Sequence, residues 1–303
     1  MFIGHGLLAF ALAAFVAHAL GWPRDRALAV ALAAGAFGLA PDVDMLYAPA
    51  GVVGASGVFD AANGFWATGN VVHRAVTHSL VVAVGATAAL WSFGRARLAG
   101  LLVGGWLVAW AFLASGGLAA AVMLVFLVTV FTIAGGALRA GQSAGLRERH
   151  VLAAALLGIA SHPFGDLLTG EPPALFYPLD VTLIASRPEL FADPTLNLLA
   201  PLFVELATAW LALAAYLRLH DRRLLPEVSG RALAGTGYAS AVLLMPPPTL
   251  EVSYHFVFSI LGLGVVTSAP RMRALRRPLR AVTTGLAAVT LAALAYTGAY
   301  LWF

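Results

Sequence analysis

Apolar stretches of about 18–22 residues, each long enough for a hydrocarbon core about 30 Å thick, recur along nearly the whole chain. They make a lipid bilayer the solvent for its fold. They fall at roughly 2–21, 27–47, 79–93, 98–115, 118–138, 150–168, 198–217, 232–246, 250–269 and 281–302. The third and eighth are short, as a tilted or re-entrant piece would be. Only 11% of the residues are charged, against roughly 25% in soluble domains. The pattern predicts an all-α, polytopic membrane helix bundle of about ten transmembrane helices.

All 18 basic residues are Arg, and their distribution predicts a topology. One set of alternate loops holds Arg24, Arg26, Arg95, Arg97, Arg139, Arg147, Arg149, Arg218, Arg222, Arg223, Arg231, Arg271, Arg273, Arg276, Arg277 and Arg280. The other set holds only Arg74 and Arg187. Cytoplasmic loops carry the excess of basic residues, so both termini are expected outside, together with the long loops near 48–78 and 169–197. The first span resembles a signal-peptide core. It lacks a positive leader and runs into Trp22-Pro23-Arg24, so it reads as a retained helix. The pI of 9.8 is then an orientation signal, and no nucleic-acid partner is expected. The expected location is the plasma (inner) membrane, with multiple passes.

Three polar clusters interrupt this apolar background. They are Pro41-Asp42-Val43-Asp44, His73-Arg74-Ala75-Val76-Thr77-His78-Ser79 and His162-Pro163-Phe164-Gly165-Asp166. Ionisable groups are costly inside lipid and mark function by default. His162 and Asp166 are four apart, so on a helix they share a face, with Thr169 a further possible hydroxyl donor. Pro41 predicts that the second span opens into an extended segment, where Asp42 and Asp44 point the same way. His73 and His78, five apart, would not share a helical face, although a turn can bring them together. Arg74 suits a phosphate or carboxylate of a substrate, and Thr77 and Ser79 are candidate substrate contacts or caps. His5 falls in the same outer layer. Glu251 and His255 form a weaker pair elsewhere.

There is no cysteine, so a metal must be held by His, carboxylate or backbone oxygen. Four His and three Asp exceed one open tetrahedral site. His5, Asp42, Asp44, His73, His78, His162 and Asp166 are therefore expected to hold a divalent metal as two ions, with Zn first and Mn or Fe(II) next.

On these residues the chain resembles the YdjM-type family of inner-membrane, metal-dependent hydrolases, some of them under LexA control. That family pattern has an early His, a PDxD segment, an HRxxxHS segment and a later HxxxD segment. The resemblance covers roughly 1–217 and implies a hydrolase core there, with 218–303 as additional transmembrane helices. The motifs also resemble, more weakly, those of zinc-dependent phospholipase C.

The resulting expectation is a metal-dependent hydrolase. It would act on a phosphoester of a lipid or amphipathic substrate at the external, periplasmic face, with Asp42, Arg74 and Asp166 in catalysis. An amide or ester lipid hydrolase of ceramidase type is the alternative within enzymes. A divalent-metal transporter or sensor is the alternative outside them. Transport sites sit near the bilayer midplane in repeated halves, a pattern this sequence lacks.

Overall fold

The computed structural model describes residues 2–168, 170–250, 252–268 and 277–302. Thr169, Glu251, Arg271, Arg273 and Arg276 lie outside them. Among the described residues the fold is all-helical, with no strand. Among the described residues ten α-helices are formed: α1 (Phe2–Ala19), α2 (Arg24–Leu39), α3 (Val58–Gly69), α4 (Leu80–Arg95), α5 (Arg97–Ala140), α6 (Glu148–Asp166), α7 (Pro194–Leu219), α8 (Ala241–Leu244), α9 (Tyr254–Ser268) and α10 (Pro278–Trp302). Four segments of the described residues are long and apolar enough to cross a membrane: Arg24–Met45, Arg97–Ala140, Pro194–Leu219 and Pro278–Trp302. Three shorter apolar helices accompany them: Ile3–Ala19, Leu80–Arg95 and Tyr254–Ser268.

Helix α5 has 44 residues, about 66 Å at 1.5 Å per residue, which is twice a hydrocarbon core. It is broken at Gly116, whose φ of 82° and ψ of −169° are not helical. The two apolar stretches read at 98–115 and 118–138 are the two sides of this break. The stretch read at 232–246 differs from expectation. It forms a 3₁₀ helix, Gly230–Ser240, and the one-turn α8. Gly230, Gly235 and Gly237 weaken α-helix propagation there, and Pro246-Pro247-Pro248 ends it.

The chain divides into two compact units, Met1–Pro188 and Glu189–Phe303. This is earlier than the 217/218 boundary read from sequence. Helix α7 packs on α10 and so belongs with the second unit. The core of that unit is Leu199, Leu206, Phe256, Ile260, Val289 and Tyr296 with small residues between them.

In the first unit α1, α2 and α6 pack on one another, and α4 packs on α5 and α6. Small residues allow close approach, as in membrane helix packing generally. A Cβ on Gly158 would lie 2.5 Å from the Ala34 carbonyl oxygen, and one on Gly38 would lie 2.9 Å from the His5 carbonyl oxygen. Large apolar side chains such as Leu101, Trp106 and Leu113 are exposed on α5, a helix long and apolar enough to cross a membrane.

The first unit also settles the local form of the polar segments. The chain does not open at Pro41. It tightens from α2 into a 3₁₀ helix, Ala40–Met45, with Pro41 in its first turn, a position where the missing N–H costs nothing. Residues 70–79 form an irregular connector. Its shape is held by Tyr47, whose hydroxyl donates to the Gly69 carbonyl at 2.6 Å and accepts from the Val72 N–H at 3.1 Å. Arg74 takes a left-handed conformation, φ 66°, which reverses the chain between His73 and His78.

Candidate metal centre

The three polar clusters and His5 converge inside the first unit. His78 is at the centre. Its Nε2 lies 2.9 Å from His162 Nε2, 3.2 Å from Asp166 Oδ2 and 3.8 Å from Asp42 Oδ1. His162 Nε2 is 3.5 Å from Asp42 Oδ1 and 3.8 Å from Asp166 Oδ2. Four potential ligand atoms therefore surround one point. The pair His162 and Asp166 comes from one face of α6, as its spacing requires. Pro163 is accommodated within that helix.

The other edges of both rings are also held. His162 Nδ1 lies 2.7 Å from the Gly38 carbonyl oxygen, and His78 Nδ1 lies 3.2 Å from Asp44 Oδ2. A carbonyl and an ionised carboxylate accept and never donate, so each Nδ1 carries the proton and each neutral ring keeps its lone pair on Nε2. Two lone pairs then face each other across 2.9 Å, flanked by carboxylate oxygens. Such a group is stable only around positive charge. Without a metal that charge is a proton on His78, in the connector before α4: burial lowers its pKa, but hydrogen bonds to Asp166 and Asp44 and their charges outweigh burial and raise it from 6.5 to about 9. A metal held at Nε2 would take the place of that proton.

A divalent metal fits the same space. Ligand bonds of about 2.0–2.1 Å in a tetrahedron put neighbouring donors about 3.3 Å apart. The observed separations run from 2.9 Å to 3.8 Å. Two groups of three have donor atoms within 4.8 Å of one another: His5, His162 and Asp166, and Asp42, His73 and His78. Within them, His5 Nδ1 and Asp42 Oδ2 are buried atoms without a hydrogen-bond partner among the described residues.

His5 is buried on α1, stacked on His162 at 3.8 Å between ring centroids, with Nε2 3.2 Å from Asp166 Oδ1. Gly165 makes room for it: a Cβ there would fall 2.5 Å from His5 Nδ1. Arg74 Nη2 lies 3.6 Å from Asp166 Oδ1, and its Nη1 donates to the Glu171 carbonyl at 2.8 Å. The segment after α6 is fastened to this connector. Ala174 N–H donates to the Arg74 carbonyl and Leu80 N–H to the Leu175 carbonyl, both at 2.8 Å.

Asp42 and Asp44 do not point the same way. In a 3₁₀ helix of three residues per turn, positions i and i+2 are about 240° apart. Asp42 therefore meets the Nε2 edge of His78 and Asp44 meets the Nδ1 edge. Thr77 and Ser79, read as substrate contacts, are both fully buried. Thr77 donates to Asp44 Oδ2 at 2.9 Å, and Ser79 caps α4 while donating to the Tyr177 carbonyl at 2.7 Å. Their hydroxyls are committed to the protein's own frame. His255 contacts the Pro246 carbonyl in the second unit. Pro163 and Gly165 suggest from sequence a loosened or starting helix, but α6 runs through both to Asp166; the packing roles of Gly38 and Gly165 are visible only in the structure.

Helices long and apolar enough to cross a bilayer, together with a buried His/Asp cluster, define an integral membrane protein with a candidate metal centre. A model of the YdjM inner membrane protein family matches residues 1–221, and the chain belongs to that family. The match contains every residue of the cluster. No curated protein and no solved structure matches the chain.

Proposed function

We propose that this protein is a membrane-embedded, metal-dependent hydrolase acting on a phosphoester of a lipid or amphipathic substrate. One observation carries the reading: the Nε2 atoms of His78 and His162 face each other at 2.9 Å beside the carboxylates of Asp42 and Asp166. His78, His162, Asp42 and Asp166 would hold the metal, and the flanking His5 and His73 favour a second ion. Zinc suits this donor set best. When bound, the metal supplies Lewis acidity and lowers the pKa of water toward about 7.

The chain's own groups divide the remaining work. Arg74 is the cation nearest Asp166 and is suited to pair with an anionic oxygen of the substrate and stabilise charge developing on it. The Gly38 carbonyl and Asp44 keep the His162 and His78 protons on Nδ1. The apolar helices around the cluster admit acyl chains and exclude bulk water. The arginine asymmetry in residues 1–168 favours a topology with the N-terminus and the cluster on the external face.

The test is elemental analysis of the purified protein in lipid nanodiscs, combined with turnover of a panel of phosphoester, ester and amide lipids. His162→Ala and Asp166→Ala are expected to lose metal and turnover together. Full turnover by a metal-free variant would refute the proposal. Cleavage of amide or ester lipids alone would move the assignment to the ceramidase-like alternative.

A further inference from the structure

We infer that Asp44 is a positioning carboxylate rather than a metal ligand, and that it holds His73 and His78 together with their Nε2 atoms turned toward the centre. The inference rests on the metal-centre reading above and divides its residues into two kinds.

Asp44 is fully buried and uses both oxygens. Oδ1 lies 2.9 Å from His73 Nδ1, while Oδ2 lies 3.2 Å from His78 Nδ1 and accepts from the Thr77 hydroxyl at 2.9 Å. Three donors thus converge on one carboxylate. Because an ionised carboxylate only accepts, both imidazoles present their N–H groups to it and keep their lone pairs on Nε2. The two nitrogens of an imidazole lie on different edges of the ring. Asp44 therefore stands across His78 from Asp42, Asp166 and His162, which all face Nε2. Metal-binding histidines are commonly oriented this way, with the non-ligating nitrogen donating to a carboxylate.

Two backbone features produce the arrangement. The 3₁₀ turn sends Asp42 and Asp44 to different sides, and the left-handed Arg74 folds the connector so that His73, Thr77 and His78 reach one carboxylate. The two rings meet edge to face, 4.8 Å between centroids. One carboxylate therefore sets the orientation of two histidines at once.

The test compares full-length wild type, Asp44→Asn and Asp42→Asn in nanodiscs. Zinc affinity is measured by chelator competition, and cobalt(II) absorption serves as a probe of coordination. Asp44→Asn preserves shape but brings an NH₂ group into a site of donors, so at least one imidazole must turn or change tautomer. The expected result is zinc affinity weakened about 10–100-fold with an unchanged cobalt spectrum. Asp42→Asn should change the spectrum itself. In metal-free, ¹⁵N-histidine-labelled protein, Asp44→Asn should also move ring-nitrogen signals between the tautomer positions. An Asp44→Asn cobalt spectrum altered in the same way as that of Asp42→Asn would make Asp44 a ligand and overturn the inference. Unchanged affinity with unchanged nitrogen signals would overturn it too. A wild type that binds neither zinc nor cobalt overturns the metal reading itself, and this inference with it. The two failures are told apart by which protein lacks the metal.

Discussion

Gly38→Ala tests how far the metal centre depends on helix packing. A Cβ at Gly38 would stand 2.9 Å from Ala9 Cβ and 2.9 Å from the His5 carbonyl oxygen, where ordinary contact begins at 3.4 Å. Both obstacles lie on α1, so α1 must retreat from α2 by roughly 0.5–1 Å, an overpacking cost of about 1–3 kcal/mol. At roughly 2–4 °C per kcal/mol for a chain of 150–250 residues, the melting temperature should fall by several degrees. The same retreat carries His5 away from Asp166. Their 3.2 Å contact would pass the limit for a hydrogen bond, and the Gly38 carbonyl would shift against His162. Thermal unfolding in nanodiscs and zinc affinity should therefore decline together. Gly105→Ala is the control: Gly105 is exposed on α5, with nothing within 4 Å of an added Cβ. There the helix gains up to about 1 kcal/mol. Gly38→Ala with wild-type stability and zinc affinity, or Gly105→Ala equally damaged, would refute the coupling of packing to site.

Tyr47→Phe removes a hydroxyl that serves one carbonyl and one N–H of the connector, and should cost about 1–3 kcal/mol in thermal or denaturant unfolding. Arg74→Lys should keep wild-type metal content while turnover of an anionic lipid falls roughly 100-fold, because an ammonium cannot reproduce the guanidinium fork; steady-state kinetics beside elemental analysis checks it. Asp193 accepts from the Leu196 N–H, the main cause, and from the Tyr300 hydroxyl, which hold its pKa below 3.8. Its contribution to the first turn of α7 is therefore present above pH 3.8 and is lost as the pH falls through the lowered value. Hydrogen exchange at the first-turn amides should report the loss, and Asp193→Ala should abolish the pH dependence.

The membrane helices were legible because length and apolarity are set residue by residue, and Gly116 already divided two apolar stretches. The stretch at 232–246 was not, since composition alone does not separate a glycine-weakened 3₁₀ segment from a short α-helix. The membership of the cluster was legible for a similar reason. Ionisable residues in apolar sequence carry their cost wherever they sit, and HxxxD on a helix leaves one geometry. The division of labour was hidden. Whether Asp42 and Asp44 diverge depends on the 3₁₀ turn, and whether His73 meets His78 depends on one left-handed residue, Arg74. Both are settled by the packing of the connector. Thr77 and Ser79 looked like ligand contacts because sequence shows a hydroxyl without showing what it already holds.

The centre also has a charge balance. Three carboxylates, Asp42, Asp44 and Asp166, face one guanidinium, Arg74, and the histidines are neutral when they ligate, so the protein contributes two net negative charges. One divalent ion brings the pocket to neutrality, a potential that suits an uncharged ester or amide. Two ions leave a surplus of two positive charges in a buried, weakly screened space, which draws in an anion such as a phosphodiester and disfavours release of an anionic product. If the centre is hydrolytic as proposed, the number of ions bound per chain would indicate the charge of its substrate before that substrate is known.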